Sequence, residues 1–377
     1  MKKSKVYKLA AGVFKALTIL AIFCLLLAYL TPYVHPKTIP FLPFFGLFYP
    51  IFLLIAIILL VIYAVARSRW SLVILFFIVI GGNLHFRQFP IGSSKTSEEN
   101  TEGIKVMSFN VRLFDLYNWS VDLSNKNRIK IFDFLEENSP DVVCFQEFYQ
   151  QDKNTNFPTR DTLIKRLQTV DFHERYSYKS RGRQHFGIAM LSKYPMISKG
   201  EVPLQLEEGE KSDNYCIFAD IVKNNDTIRV YNVHLQSIKL KKDDYELFDE
   251  QGNPIQSQTT AIENTVFKIG SAYPRRADQA KLVVAHAETS PYPVVICGDF
   301  NDTPLSYTYN QFNKVFIDAF REASYGIGST YAGKIPAGRI DFIFHSDNLE
   351  AFDFEIQKSV VSDHRAIWCT ISQKSVK

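Results

Sequence analysis

The stretch Val294-Val295-Ile296-Cys297-Gly298-Asp299-Phe300-Asn301 decides the fold class. Its first four residues are apolar and three are β-branched, so they predict a buried strand that a glycine then ends. Asp299 and Asn301 follow at a spacing of two, which points both side chains the same way if the strand continues. A carboxylate beside an amide suits chemistry on an oxyanion, because one takes a proton while the other donates hydrogen bonds. A buried strand followed by an Asx turn is the commoner explanation of such a stretch when it occurs alone.

Five further predicted strands carry metal-binding or acid/base side chains at or near an end. They are 105–110, which ends on Asn110; 142–147, which ends on Glu147; 228–234, which ends on His234; 339–344, which contains Asp341; and 365–371, which directly follows Asp363 and His364. Any one of these side chains has an ordinary structural explanation. Their recurrence at six strands favours a shared catalytic site.

A weak internal repeat joins some of these strands. After Asn110 a helical pattern at 128–137 is broken by Ser-Pro before the strand ending in Glu147, and after His234 a second helical pattern at 277–288 is broken by Ser-Pro before Asp299. The repeat predicts two related halves that face each other. Strands that alternate with helices in this way indicate an α/β fold. The long segment 237–273 is expected to form a loop on the rim of the site.

The N-terminal part has a different composition. Residues 1–90 contain nine Lys or Arg and no Asp or Glu. Three apolar runs, at about 9–30, 44–66 and 70–86, predict three transmembrane helices that form a membrane anchor. The second run is uncharged for 23 residues, enough to cross ~30 Å of hydrocarbon, whereas the third is at the lower limit of a span. A signal peptide is the rival interpretation of the first run, but a small-residue cleavage site is missing at 28–30.

The charges of the loops predict the orientation of this anchor. Five lysines precede or open the first run, Arg67 and Arg69 lie between the second and third, and 31–43 carries only Lys37. By the positive-inside rule the N-terminus and the Arg67 loop are cytoplasmic, so three spans place the rest of the chain outside the cytoplasm. If the third run does not span, that part stays on the cytoplasmic side. The expected location is the cell membrane, as a multi-pass protein.

Residues 91–103, rich in Ser, Thr, Glu and Gly, are predicted to be a flexible linker, and 104–373 to form one catalytic domain. Outside the anchor, 34 basic residues stand against 39 acidic ones, a net charge of −5. A strongly basic nucleic-acid footprint is therefore absent from the domain, which disfavours DNA binding without excluding it. The five cysteines are widely spaced and four fall in predicted strands, so we expect small buried side chains rather than disulfides.

Seven segments of the domain together resemble the successive motifs of the endonuclease/exonuclease/phosphatase superfamily. In chain order they are Met107-Ser108-Phe109-Asn110, Phe145-Gln146-Glu147, 187–195, Tyr231-Asn232-Val233-His234-Leu235, Gly298-Asp299-Phe300-Asn301, Arg339-Ile340-Asp341 and Ser362-Asp363-His364. The resemblance covers about 103–373. Members of this superfamily include deoxyribonuclease I, neutral sphingomyelinases, AP endonucleases and inositol polyphosphate 5-phosphatases. It implies a four-layer α/β sandwich of two packed mixed sheets flanked by helices. All the motifs converge at one end of that sandwich.

The resemblance implies a site for Mg²⁺, with Mn²⁺ as the other candidate ion. Glu147 is expected to hold the ion, with Asn110 and Asp363 close by, because Mg²⁺ prefers hard oxygen ligands. Two assignments of the general base remain open. In one, Asp341 orients His364, which takes the proton from water. In the other, Asp299 takes the proton while Asn301 positions the water and the phosphate.

His234 is expected to donate a hydrogen bond to a phosphoryl oxygen. The region 183–186 has no acid to pair with it, unlike deoxyribonuclease I, so transition-state hydrogen bonding is favoured over general-acid catalysis. Tyr117, Asn118 and Trp119 are equally compatible with substrate contact and with packing on their own loop. Of Arg275 and Arg276, we expect one on a helix surface and the other paired with an acid.

The sequence therefore predicts a membrane-anchored, divalent-metal-dependent phosphohydrolase, best interpreted as a phosphodiesterase. Its substrate is expected to be nucleic acid or a phospholipid headgroup, and its other contact the lipid bilayer, with no protein partner. A tether would raise the local concentration of headgroups at the site. The alternatives are a phosphomonoesterase for a soluble sugar or inositol phosphate and a catalytically inactive binding module. The second is disfavoured because every expected ligand and acid/base residue is present.

Overall fold

A computed structural model of the chain describes residues 2–92, 94–97, 102–116, 126–152, 158–180, 184–205, 214–238, 258–333 and 338–374. The helices are α1 Lys2–Leu30, α2 Leu42–Leu47, α3 Tyr49–Val65, α4 Trp70–Ile80, α5 Gly82–Gln88, α6 Lys126–Asn138, α7 Thr159–Leu167, α8 Gln258–Glu288, α9 Tyr307–Asn313 and α10 Ala319–Ala323. The strands are β1 Ile104–Asn110, β2 Val142–Gln151, β3 Asp171–Ser180, β4 Gln184–Ser192, β5 Met196–Val202, β6 Tyr215–Lys223, β7 Asp226–His234, β8 Val294–Asp299, β9 Ile317–Asp318, β10 Asp341–His345, β11 Leu349–Ile356 and β12 Ile367–Gln373.

The strands form two six-stranded mixed sheets. The first has the order β11-β12-β1-β2-β4-β3 and the second the order β5-β6-β7-β8-β10-β9. Each sheet has one parallel pair near its middle, β1 with β2 and β7 with β8, and antiparallel pairs around it. A helix crosses over between the strands of each parallel pair, as parallel pairing requires. The repeat seen in the sequence thus corresponds to two similar halves.

Three apolar clusters hold these layers together. One lies between the sheets and contains Val106 and Cys144 of the first together with Val295 and Ile343 of the second. A second packs α6 and α7 on the outer face of the first sheet. A third packs α8 and α9 on the outer face of the second sheet. The predicted sandwich of two packed mixed sheets flanked by helices is confirmed, and burial of both faces explains why strands such as β8 are apolar throughout.

The prediction of three full-length transmembrane helices is wrong. One helix, Ala11–Leu30, is long and apolar enough to cross a membrane within the described residues. The run at 44–66 is divided into α2 and the 17-residue α3, each with a proline at its start, and proline favours the first turn of a helix over its interior. The run at 70–86 bends by 63° at Gly81 between α4 and α5. Tyr29 packs so closely on Gly81 that an added Cβ would lie 2.3 Å from its ring.

Two further expectations concern segments beside the domain. Helix α8 begins at Gln258, so the part of 237–273 from 258 onward is helical and not a loop. Residues 94–97, in the predicted flexible linker, are held against the domain. Lys95 pairs with Glu322 and Glu350, and the Ser97 amide donates to Asp353 over 3.2 Å. Cys144, Cys216, Cys297 and Cys369 are buried free thiols, as expected.

Candidate active site

Strand direction brings the predicted site residues to one end of the sandwich. The parallel pairs β1/β2 and β7/β8 carry Asn110, His234 and Asp299 at their carboxyl ends, with Glu147 one residue beyond the pairing partner of Asn110. The prediction that the second strand ends on Glu147 is wrong, because β2 continues to Gln151. Strand β10 runs antiparallel to β8 and begins at Asp341, directly opposite Asp299 in the register. The acid predicted inside a strand therefore stands at its first residue, which is why it reaches the same end as the others.

Gly298 allows the chain to enter the site beside β7. Its φ is +153°, and an added Cβ would lie 1.9 Å from the Val233 carbonyl oxygen. A side chain at this position would collide with backbone and could not simply rotate away. Glycine is therefore required for β8 to place Asp299 next to His234.

Asp299 lies at the centre of the site, and only 1% of its surface is exposed. Its Oδ2 accepts a hydrogen bond of 3.0 Å from Asn110 Nδ2 and lies 3.8 Å from His234 Nε2 and 3.7 Å from His364 Nε2. Burial raises the pKa of this carboxyl, because the charged form is poorly solvated. An acid whose pKa is raised in this way is suited to proton transfer near neutral pH.

His364 and Asp341 form a buried pair. Imidazole Nδ1 lies 3.1 and 3.0 Å from the two carboxylate oxygens, which leaves Nε2 directed toward Asp299. Thr330 Oγ1 accepts from the amides of Ile340 and Asp341 at 3.0 and 3.1 Å and so fixes the start of β10. Burial disfavours the imidazolium, yet the charges of Asp341 and Asp299 outweigh it and raise the pKa of His364 well above its ordinary value.

Glu147 and Asp363 form a second acidic group at the mouth of the site. Glu147 lies at an irregularity of β2, between Phe145 and Phe148, with a φ of +50°. This bulge turns its side chain toward Asn110, whose Nδ2 lies 3.4 Å from Glu147 Oε1. Burial, together with the negative charge of Asp363, raises the pKa of Glu147 to about 7.

The donor set of this second group fits a divalent cation. Two carboxylates are hard ligands of the kind that Mg²⁺ and Mn²⁺ accept. Asn110 directs its Nδ2 to Glu147 and Asp299, and its Oδ1 accepts from the Arg112 amide, so its oxygen would reach a cation only after the side-chain amide turns over. Burial and the charge of Asp363 raise the pKa of Glu147, and a cation beside the carboxylate would favour its charged form. Asp299, Asp341 and His364 also have ligand atoms within 4.8 Å of one another. His364 Nδ1 is already bonded to Asp341, which leaves its Nε2 as the ring atom that this group could offer to a cation.

Asn301 and His234 complete the set of predicted residues. His234 is buried at the end of β7. Strand β8 ends at Asp299, and Asn301 has a φ of +53°, so the strand does not continue to Asn301 and the alternative of an Asx turn applies. The Asn301 amide nitrogen donates to Asp299 Oδ1 over 2.8 Å, an Asx turn, and its Nδ2 donates to the Leu235 carbonyl. The short side chain that bonds its own backbone makes such a turn favourable.

A buried amide pair, to which the sequence analysis gave no role, joins the two sheets behind the site. Gln146 Nε2 donates to Asn232 Oδ1 over 2.7 Å, and Asn232 Nδ2 donates to the carbonyls of Phe145 and Ala189. These bonds fix the relative positions of Glu147, which directly follows Gln146, and His234, which is two residues after Asn232. The sequence does contain a signal for this pair, because Gln146 and Asn232 are polar residues within otherwise apolar strands, shortly before Glu147 and His234. Tyr117, Asn118 and Trp119 lie outside the described residues.

Comparison with known protein families gives the class of this domain. A model of the "Endonuclease/Exonuclease/phosphatase family" matches residues 107–364, more than half of the chain. The chain belongs to this family, whose members hydrolyse phosphate esters and depend on divalent metals. A second model, "Domain of unknown function (DUF8431)", matches residues 11–88.

Solved structures of the family share the fold at low sequence identity. The endonuclease/exonuclease/phosphatase from Bacteroides vulgatus is 17% identical, with a TM-score of 0.52 over 72% of this chain and 99% of that one. A family protein from Leptotrichia buccalis C-1013-b is 16% identical, with a TM-score of 0.50 over 71% and 99%. One from Bacteroides thetaiotaomicron is 16% identical, with a TM-score of 0.50 over 73% and 100%. At these identities the likeness concerns the fold alone.

Proposed function

We propose that this protein is a membrane-anchored, divalent-metal-dependent phosphodiesterase that acts on lipid headgroups outside the cytoplasm. The observation that carries the hydrolytic part is the arrangement around Asp299. A buried carboxylate faces two imidazole Nε2 atoms at 3.7 and 3.8 Å, beside a separate pair of acidic metal ligands. Such a site offers a proton acceptor, hydrogen-bond donors and a cation position around one phosphate.

The residues divide the chemistry as follows. A divalent ion held by Glu147, Asp363 and Asn110 would neutralise charge on the phosphate and on the leaving oxygen. Asp299 accepts the proton of the attacking water, because burial raises the pKa of its carboxyl and makes it a stronger base, and its Oδ2 is held by Asn110. Asp341 and Asp299 raise the pKa of His364 well above its ordinary value, which favours the imidazolium and with it a charged hydrogen bond to the phosphate. Of the two assignments of the base, these pKa directions favour Asp299.

The surface of the N-terminal helices supports a membrane location. Only 33% of the most apolar stretch of the helix Ala11–Leu30 is buried within the protein. Large apolar side chains on α1, α3 and α4 are exposed, among them Leu17, Phe23, Leu54, Phe76 and Val79. Water does not tolerate a continuous apolar surface of this kind, whereas lipid does.

The two ends of α1 support the proposed orientation. Its N-terminal end carries the lysine cluster, which the positive-inside rule assigns to the cytoplasm. Thr31, at the other end, contacts Leu305 of the catalytic domain. A single crossing by α1 therefore suffices to place the domain outside the cytoplasm.

The charge and position of the domain favour a lipid over a nucleic acid as substrate. A net charge of −5 outside the anchor repels a polyanion. Anchoring holds the site close to headgroup phosphodiesters, which raises their effective concentration without any added contact. A headgroup phosphate also has only one negative charge in the diester form.

We expect the full-length chain, reconstituted in vesicles, to release headgroups from phospholipids in the presence of Mg²⁺ or Mn²⁺ and to stop when EDTA is added. Plasmid DNA, a soluble inositol phosphate and a sugar phosphate are tested in the same buffer. Nicking of DNA alone would make the protein an anchored nuclease. Release of inorganic phosphate alone would make it a phosphomonoesterase, and no turnover of any substrate would favour a binding module.

A reporter fused after Lys377 tests the orientation. Alkaline phosphatase at this position should be active in cells, because it folds only outside the cytoplasm, while a green fluorescent protein exported in unfolded form should stay dark. The opposite pattern would place the domain on the cytoplasmic side. Replacing the lysine cluster, Lys2, Lys3, Lys5 and Lys8, by Glu is expected to weaken or reverse the orientation.

A further inference from the structure

The loop that follows the catalytic strand β8 also carries a contact with the N-terminal helices. Asp299 and Asn301 lie at its start, and Leu305 lies four residues beyond Asn301. Thr31 Oγ1, at the end of α1, is 2.6 Å from the Leu305 carbonyl oxygen and is buried. Leu305 itself belongs to the apolar core of the helical segment. The same short loop therefore serves both the site and the anchor.

Asn310 extends this contact to two separate parts of the anchor. Only 1% of its surface is exposed. Its Oδ1 accepts from Arg87 Nη1, at the end of α5, and its Nδ2 donates to the Pro32 carbonyl, after α1, both at 2.8 Å. Both ends of the amide are thus satisfied by the anchor alone. A buried amide of this kind is costly unless its partners are present.

Arg339 adds a buried charge to the same interface. Its Nη1 donates to Asp318 Oδ2 over 2.7 Å, and its Nη2 donates to the Arg87 carbonyl over 2.9 Å. The guanidinium is also 4.8 Å from the ring of Phe342. Arg339 stands two residues before Asp341, so its position is coupled to the start of β10 and to the pair that Asp341 makes with His364.

A second set of contacts reaches Asn301 from the other side. The ring of Phe44, in α2, packs edge-on against Tyr273 at a centroid distance of 6.0 Å. The guanidinium of Arg276 lies 4.6 Å from the Tyr273 ring, and its Nη1 donates to the Asn301 carbonyl. Arg276 is buried and 3.7 Å from Asp302. Packed side chains therefore connect the anchor to the backbone of the catalytic loop.

We propose that the N-terminal helical segment is a positioning part of the active site and not only a tether. Arg87 and Thr31 hold the segment 300–310, which is the loop after β8 and the start of α9, through Asn310 and Leu305. Phe44 acts on the same segment through Tyr273 of α8. The catalytic part of this proposal rests on the proposed hydrolase function. The docking part stands on the contacts alone. A tether would connect to the domain through the chain at 91–103 and would need no buried polar bonds to the loop after β8.

The docking part is tested by cutting the chain between the two parts. A protease recognition sequence is placed at 98–101 in the full-length protein, which is purified in detergent through an N-terminal tag. After cleavage, we expect the catalytic domain to stay on the affinity resin with the helices. Arg87→Ala removes the donor to Asn310 and should release the domain, whereas Arg69→Ala, an exposed arginine between α3 and α4, should not. Release of the cleaved wild-type domain would overturn the proposal without any need for a variant.

The positioning part is tested with bis(4-nitrophenyl) phosphate, a soluble diester that needs no membrane delivery. Uncut Arg87→Ala should lose about tenfold or more in kcat with little change in KM, because small misplacements of catalytic groups have large effects on the chemical step. Amide hydrogen exchange in 301–310 should accelerate in the same variant. A variant with unchanged kcat and unchanged exchange would overturn the positioning role. Absence of metal-dependent turnover by the wild type would instead remove the proposed function, while retention and exchange would still decide the docking.

Discussion

Glu147→Gln should abolish metal-dependent turnover while the protein stays folded. The substitution keeps the size of the side chain and removes the charge that binds the cation, so the expected loss in kcat/KM is on the order of 10³-fold, equivalent to several kcal/mol of transition-state stabilisation. Because burial and Asp363 raise the pKa of Glu147 to about 7, the neutral amide should leave the fold at least as stable as wild type in the absence of metal. Thermal unfolding with and without Mg²⁺ measures this directly.

The control for this variant is Glu136→Gln. Glu136 is an exposed residue of α6 that lies 3.3 Å from Arg166, and its replacement should change neither turnover nor the shift of the melting temperature by Mg²⁺. Glu147→Gln should lose that shift, since binding to the folded state alone is what raises the melting temperature. A Glu147 variant that keeps both activity and the metal-dependent shift would remove Glu147 from the metal site.

Strand patterns explain how much of the domain could be predicted. Apolar stretches that run up to Asn110, Glu147, His234 and Asp299 are local features, and parallel pairing then brings these residues to one end of the sheets without further information. The direction and starting residue of β10 cannot be read from its own sequence. Whether Asp341 stands at the start or in the middle of its strand depends on the antiparallel register with β8. The spacing of Asp299 and Asn301 left a continuing strand and an Asx turn open, and the left-handed backbone of Asn301 belongs to the turn.

The N-terminal helices show the limit of hydropathy as a guide. Apolar composition alone predicted three spans, but proline at the start of α3 and the Gly81–Gly82 pair divide two of the runs into shorter helices. The docking of Arg87 and Thr31 on the catalytic loop joins residues more than 200 positions apart. No periodic pattern encodes such a contact. A buried Asn310 whose partners come from a distant segment can be recognised only once the chain is folded.

The pH dependence of turnover should identify the general base. A histidine whose folded pKa is raised carries its charge below that pKa and loses it as the pH rises through it. If imidazolium His364 stabilises the phosphate, kcat/KM falls at alkaline pH as His364 loses its proton, and it falls at acidic pH as Asp299 gains one. The alkaline limit is set by Asp341, Asp299 and Asp363, which all raise the pKa of His364 against the effect of burial. A bound cation moves both limits to lower pH, but the acidic limit still belongs to Asp299 and the alkaline limit to His364.

Three variants separate the two assignments. His364→Asn should lower kcat by about 10²–10⁴-fold, the usual contribution of such a group, and remove the alkaline limit. Asp299→Asn should lower kcat to a similar extent and remove the acidic limit. Asp341→Asn takes away the negative charge bonded to His364 Nδ1, so its alkaline limit should move to lower pH. His286→Asn, on the outer helix α8 beside Tyr231, serves as the control and should keep both limits.

The opposite outcome has an equally clear signature. If neutral His364 is the base, its protonation abolishes activity, and His364→Asn should remove the acidic limit while Asp299→Asn leaves it in place. Asp341→Asn would then shift the acidic limit downward, because loss of the neighbouring charge lowers the pKa of the imidazole. The Asp341 variant therefore moves a different limit in each case. It distinguishes an imidazolium that stabilises charge from an imidazole that takes a proton, even if all three substitutions reduce kcat equally.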